Sequence, residues 1–156
     1  MAKEIERKFL VKPGAWEPQG FGTTIRQGYL SSKKERVVRV RTKGSKAFLT
    51  VKGVTKGIAR SEFEYEIPVE DADALLTNIC EQPLIEKVRY KEDHNGHTWE
   101  IDVFFGDNKG LVVAEVELAT EDEKLILPAW AGEEVSSDPR YFNSNLIENP
   151  YCNWGK

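Results

Sequence analysis

Nearly every period-two segment of this chain places charges of one sign at alternate positions. Glu4 and Glu6, followed by Lys8, alternate with Ile5, Arg7, Phe9 and Val11. Arg39 and Arg41 alternate with Val38 and Val40, and Lys52 shares a face with Phe48 and Thr50. Glu62, Glu64 and Glu66 alternate with Phe63, Tyr65 and Ile67. Lys87, Arg89 and Lys91 flank Val88 and Tyr90, and Glu100 and Asp102 alternate with Trp99, Ile101 and Val103. Glu115 and Glu117 alternate with Ala114, Val116 and Leu118. Successive side chains on a strand point to opposite faces, so each segment has one charged and one apolar face.

The pattern predicts about eight strands, over residues 3–11, 23–30, 35–43, 46–53, 61–69, 84–93, 97–106 and 111–118. Asn95-Gly96 is a strong hairpin signal, and Lys43-Gly44-Ser45-Lys46 and Asp107-Asn108-Lys109-Gly110 read as further tight turns. Sequential hairpins give an antiparallel sheet, and closing it into a barrel removes its edges. A helix is expected over 70–79, acidic at its start, with apolar residues at 72, 75, 76 and 79. Shorter helices are expected from Glu121 to Leu127, stopped by Pro128, and after Asn143. The fold class is mainly β: a closed antiparallel barrel with a few peripheral helices, in a single domain over 1–156.

Two readings of the charged faces compete. In one they are a solvated exterior, with cross-strand ion pairs worth about 0–1 kcal/mol each. In the other they line the interior and the apolar faces pack under helices and loops. Like-charged doublets repel each other before they pair with anything, which favours the second reading. Interior charges need a partner. Arg and Lys suit a polyanion with several phosphates, and carboxylates suit a hard divalent cation bridging to phosphate oxygens. Together they describe a charged tunnel for a metal–polyphosphate complex.

Composition narrows the alternatives. Twenty-two Lys and Arg against 26 Asp and Glu leave a net charge of −4, which argues against a general nucleic-acid binder. The four tryptophans form no stacking ladder among basic residues. No apolar run reaches the roughly 18 residues of a membrane helix, the N-terminus has no signal-peptide core, and two cysteines make no disulfide framework. A cytoplasmic chain, monomeric or homodimeric, with no nucleic-acid or membrane partner is expected.

Glu4-Ile5-Glu6-Arg7-Lys8 resembles the N-terminal Glu-x-Glu-x-Lys signature of the CYTH superfamily, the triphosphate tunnel metalloenzymes. The resemblance continues in order through Arg26-Gln27-Gly28-Tyr29-Leu30, Arg39-x-Arg41, Lys52, Glu62-x-Glu64, Lys87-x-Arg89, Asp102 and Glu115-x-Glu117. A weaker continuation runs through Glu133-Glu134-Val135 and Asp138-Pro139-Arg140-Tyr141. The short chain is similar to the small bacterial members.

The resemblance implies hydrolysis of inorganic triphosphate to pyrophosphate and phosphate, with Mg²⁺ or Mn²⁺ as cofactor and a small polyphosphate as substrate. The alternatives it leaves open are an adenylyl cyclase, a thiamine or nucleoside triphosphatase, and a non-catalytic polyphosphate-binding module. It implies that Arg39, Arg41, Lys52, Lys87 and Arg89 hold phosphate oxygens. It implies metal-ligand roles for Glu4, Glu6, Asp102, Glu115 and Glu117. Glu62 and Glu64 either complete a second metal site or orient the basic residues. Lys8 and Tyr29 are the candidates for handling the nucleophilic water, Lys8 either lowering the proton affinity of the Tyr29 hydroxyl or aligning the water itself. Free Tyr and Lys titrate near 10, so a base role at neutral pH requires a cationic environment. Whether residues 139–156 plug the tunnel is open at this point.

Overall fold

The computed structural model describes residues 3–155. Eight antiparallel strands close into a barrel: β1 (Lys3–Val11), β2 (Thr23–Ser31), β3 (Arg36–Lys43), β4 (Lys46–Gly53), β5 (Ala59–Ile67), β6 (Ile85–His94), β7 (His97–Phe104) and β8 (Val112–Glu117). The order around the wall is β5-β4-β3-β2-β6-β7-β8-β1, and pairing of β1 with β5 closes the circle. Beyond Ile5, which pairs with Ala59, β5 leaves the edge of β1. A short β9 (Ala131–Glu134) takes that edge over, opposite Phe9 and Val11. β9 was not anticipated as a strand, since Ala-Gly-Glu-Glu has no period-two pattern. It exists because the edge of β1 has backbone groups to satisfy.

The turns follow the sequence signals. Asn95 and Gly96 both take positive φ (49° and 84°), as a two-residue primed turn requires, and Gly44 does so at the β3–β4 turn (61°). β5 begins two residues earlier than expected and ends before Pro68, which caps α1 (Val69–Asn78). α1 is the only α-helix among the described residues. The helix expected over 121–127 is a correction: this segment is irregular. The Glu123 carboxylate instead accepts from the backbone N–H of Ala119 (2.6 Å) and pairs with His97. A side chain that satisfies a turn competes with helix formation. From Asn143 the chain makes two short 3-10 turns, Asn143–Leu146 and Tyr151–Asn153.

The barrel is apolar outside and charged inside. Ala72 and Leu76 of α1 cover Val40 and Ala47 on the outer wall, with Cys80 beside them. Trp99, Phe9, Ile101, Ala114 and Val116 form a second outer core, closed over by Trp130 and Leu118. Glu92 ties down two flanking segments by accepting from the indole N–H groups of Trp16 (3.3 Å) and Trp130 (2.9 Å). A third core fills one end of the barrel. There Tyr141, Leu146 and Ile147 of the C-terminal segment pack on Tyr29, Val37, Ile85, Phe104, Leu111 and Val113. Residues 139–154 therefore plug that end, with Tyr151 and Trp154 packed behind.

Candidate active site

The lumen is a cavity of about 280 Å³. Eight Lys and Arg side chains line it (Lys8, Arg39, Arg41, Lys43, Lys52, Arg60, Lys87 and Arg89), together with seven carboxylates (Glu4, Glu6, Glu62, Glu64, Glu100, Glu115 and Glu117). The register brings opposite charges together across strands: Lys52 faces Glu62, Lys8 faces Glu115 and Arg89 faces Asp102. Strand alternation keeps every one of these on the inner face.

Arg39 and Arg41 each direct Nη2 at Glu64 Oε2 (3.4 and 3.3 Å), which also accepts from the Thr50 hydroxyl (2.8 Å). These hydrogen bonds, with the two guanidinium charges, hold Glu64 below its usual carboxylate range despite partial burial. Burial, with Arg39 and Arg89 nearby, pushes Arg41 down to about 10. The Nε groups of Arg39 and Arg41 are buried with no acceptor among the described residues.

Arg89 is the most heavily paired cation. Its Nε and Nη2 donate to the two oxygens of Asp102 (2.7 and 2.8 Å), Nη2 also reaches Glu115 (3.1 Å), and Nη1 reaches Glu100 (3.2 Å). Lys87 Nζ lies 2.9 Å from Asp102 Oδ2. Burial pushes Lys87 down to about 8, against the raising influence of Asp102. Asp102 itself is fully buried, and Lys87 and Arg89 hold it below its ordinary value. Among the expected metal ligands, Asp102 does not line the cavity, and both of its oxygens face cations, Arg89 and Lys87.

The carboxylates of β1, β5 and β8 are crowded. Lys52 Nζ sits between Glu4 (3.2 Å) and Glu62 (3.3 Å). Burial raises Glu4, and Glu62 adds to this by repulsion and by a carboxyl–carboxyl hydrogen bond. Burial raises Glu6 well above the usual range, followed by the charges of Glu115 and Glu4. Its partner Glu115 is held well below that range, chiefly by Lys8 and Arg89 against burial. Burial and the charges of Glu62 and Glu100 raise Glu117. Among the described residues no three side chains stand ready to hold a metal unaided.

Lys8 and Tyr29 both line the cavity, near the plug. The Lys8 ammonium donates to the Tyr141 carbonyl (2.9 Å) and lies 3.8 Å from Glu115. The Tyr29 hydroxyl accepts from Gln27 Nε2 (3.1 Å). Burial raises the Tyr29 pKa, outweighing Arg39 and Arg41.

Some lining residues escaped the sequence pattern. Glu100 shares a face with Asp102 but belongs to none of the family-like motifs, yet it lines the cavity and pairs with Arg89. Phe142, Asn143 and Ser144 come from the plug and Ser136 from the segment before it, where no periodicity announces which side chains face inward.

Comparison with known proteins places these features in context. Residues 2–151 match the CYTH domain family. A protein of Acetivibrio thermocellus described as an inorganic triphosphatase is 51% identical over 154 residues, covering 99% of each chain. A Nitrosomonas europaea protein of the same description is 39% identical over 149 residues, covering 92% of this chain and 95% of its own. A solved inorganic triphosphatase structure superposes with a TM-score of 0.67 at 37% identity, covering 94% of this chain and 95% of that one. A Pyrococcus horikoshii protein at 21% identity, with a TM-score of 0.54, shares the fold over 76% of this chain and 80% of its own.

Proposed function

The chain belongs to the CYTH domain family, and from that premise we propose that it hydrolyses inorganic triphosphate to pyrophosphate and phosphate, with a divalent cation as cofactor. The observation that carries this reading is the buried cationic wall, on which the Nε donors of Arg39 and Arg41 have no acceptor among the described residues. Phosphate oxygens suit such donors, because a guanidinium binds them through its planar fork. The full-length similarity to proteins described as inorganic triphosphatases supports the same substrate.

The carboxylates fit a hard divalent cation such as Mg²⁺ or Mn²⁺. Burial and the neighbouring carboxylates raise Glu4, beside Glu62, and Glu6, beside Glu115. A cation bound between such oxygens relieves that repulsion. Mg²⁺ in particular keeps several waters and needs only one or two carboxylates when phosphates supply further ligands. Glu4, Glu6, Glu62, Glu115 and Glu117 would hold it, and when bound it neutralises charge on the phosphate chain as the bridge bond breaks.

Arg39, Arg41, Lys52, Lys87 and Arg89 bind and orient the triphosphate and stabilise the charge that moves to the leaving pyrophosphate. Lys8, fixed between Glu115 and the Tyr141 carbonyl, aligns the attacking water. Tyr29 serves as a neutral hydrogen-bonding wall near the plug. No covalent intermediate is involved.

Cavity size argues against an organic triphosphate. About 280 Å³ lies just below the roughly 300–1,000 Å³ range of small-molecule sites. Among the described residues, the aromatic side chains that line it are Tyr29 and Phe142. The test is phosphate release from tripolyphosphate, ATP and pyrophosphate, with and without Mg²⁺ or Mn²⁺. Metal-dependent release from tripolyphosphate is expected, while turnover of ATP in preference, or none at all, would refute the reading.

A further inference from the structure

The cavity floor is made by the C-terminal plug, and two buried lysines are tied to it. Lys8 donates to the backbone carbonyl of Tyr141. Lys87, already on Asp102, lies 3.4 Å from the side-chain oxygen of Asn143. That contact fixes the orientation of the Asn143 amide: Oδ1 turns to the ammonium and the NH2 group is left over as a donor. Neither this NH2 nor the Ser144 hydroxyl has a protein partner among the described residues, although both residues line the cavity. A floor with two unassigned neutral donors beside two lysines suits the oxygens of a terminal phosphoryl group.

Resting on the reading given above, we propose that Asn143 and Ser144 form the seat for the terminal phosphate and thereby set the length of polyphosphate that the enzyme prefers. Behind them, Tyr141, Leu146 and Ile147 pack into the apolar core that closes the barrel, so the chain cannot thread through. A linear polyphosphate must enter end first and stop at Asn143–Ser144. Each additional phosphoryl unit is then displaced toward the open end. There Glu100 lines the wall, so a further phosphoryl unit meets its carboxylate, while the neutral donors at the floor reward the terminus.

The plug turns are built to hold this position. Asp138 caps the turn Pro139–Tyr141 by accepting from the Arg140 N–H (3.1 Å). The Arg140 guanidinium pairs with Asp138 and lies over the rings of Tyr141 and Trp154. The Asn145 side chain donates to the Pro139 carbonyl (2.7 Å), linking that turn to the one that carries Asn143.

The experiment compares kcat and KM for tripolyphosphate and tetrapolyphosphate in wild type, Asn143→Ala, Asn143→Asp and Ser144→Ala. Removing a hydrogen bond to a charged group should raise the tripolyphosphate KM about tenfold in Asn143→Ala. Asn143→Asp should raise it further, since it sets a carboxylate against the phosphate. The tripolyphosphate-to-tetrapolyphosphate ratio of kcat/KM should fall in all three variants. Ser144→Ala removes a hydroxyl with no protein partner, so it keeps the test sound if Asn143→Ala unfolds. A wild type that turns over tripolyphosphate, with variants of unchanged KM and unchanged ratio, would overturn this inference alone. A wild type without turnover would overturn the proposed activity and the terminal-phosphate seat with it.

Discussion

Replacing Asp102 by Asn separates a buried counter-ion from a metal ligand. Asp102 accepts three charge-assisted contacts, at 2.7 and 2.8 Å from Arg89 and 2.9 Å from Lys87, with no exposure to solvent. Asn preserves the shape and one acceptor oxygen but strands two buried cations. Breaking a buried ion pair costs about 3–5 kcal/mol, and the retained acceptor places Asp102→Asn near the lower end. For a chain of this length about 3 kcal/mol corresponds to roughly 10 °C in Tm. The substitution also removes the strongest influence that raises the Lys87 pKa, which already stands at about 8. Lys87 should then be largely neutral at pH 7.5, so the tripolyphosphate KM should rise and its alkaline increase should begin at lower pH. Urea unfolding followed by tryptophan fluorescence measures the first effect, and a pH series of initial rates the second. A stability loss below about 1 kcal/mol with unchanged KM would refute the counter-ion reasoning. A weakened metal dependence at unchanged stability would restore Asp102 as a ligand.

Glu6→Gln should abolish activity yet stabilise the metal-free protein at neutral pH by on the order of 1 kcal/mol. The folded-state pKa of Glu6 lies above its unfolded value, so its contribution to stability is lost as pH rises through the folded pKa, and Gln removes that loss. The Tm increase that Mg²⁺ gives wild type should shrink in this variant, and an unchanged Mg²⁺ effect would exclude Glu6 from the metal site. Wild-type affinity for tripolyphosphate should weaken as pH rises past about 8, where Lys87 loses its proton. The stability contribution of Lys87 moves the other way, rising between about 8 and the ordinary Lys value, because the unfolded chain holds that proton more tightly. Parallel KM and melting profiles check both signs. Arg39→Lys keeps the charge but loses the planar fork, and should raise KM about tenfold with little change in melting. Equal KM values would show that Arg39 acts as a point charge only.

Much of the barrel and of its inner wall was legible before any coordinates. Alternation assigned Glu4, Glu6, Lys8, Arg39, Arg41, Lys52, Glu62, Glu64, Lys87, Arg89, Glu115 and Glu117 to the cavity face, and all of them line it. Period-two alternation decides which residues share a face independently of how strands are arranged. Asp102 obeys the same alternation yet does not line the cavity, because the cations of the neighbouring strand cover it. Glu100, two residues away, was discarded and does line it. Alternation sorts faces; the depth of a residue along the barrel depends on strand tilt and stagger.

Local chemistry therefore determined the strands, the Asn95-Gly96 turn and the sorting of charge from apolar surface, because each depends only on near neighbours in the chain. Tertiary structure alone decided which charges neutralise one another, that burial raises the Tyr29 pKa, and that the C-terminal segment supplies the floor with Asn143 and Ser144. Those outcomes depend on burial and on contacts between residues far apart in sequence, such as Lys87 with Asn143 and Lys8 with Tyr141. Desolvation and Coulomb energies are set by distances in the folded chain, and no periodicity in the sequence encodes those distances.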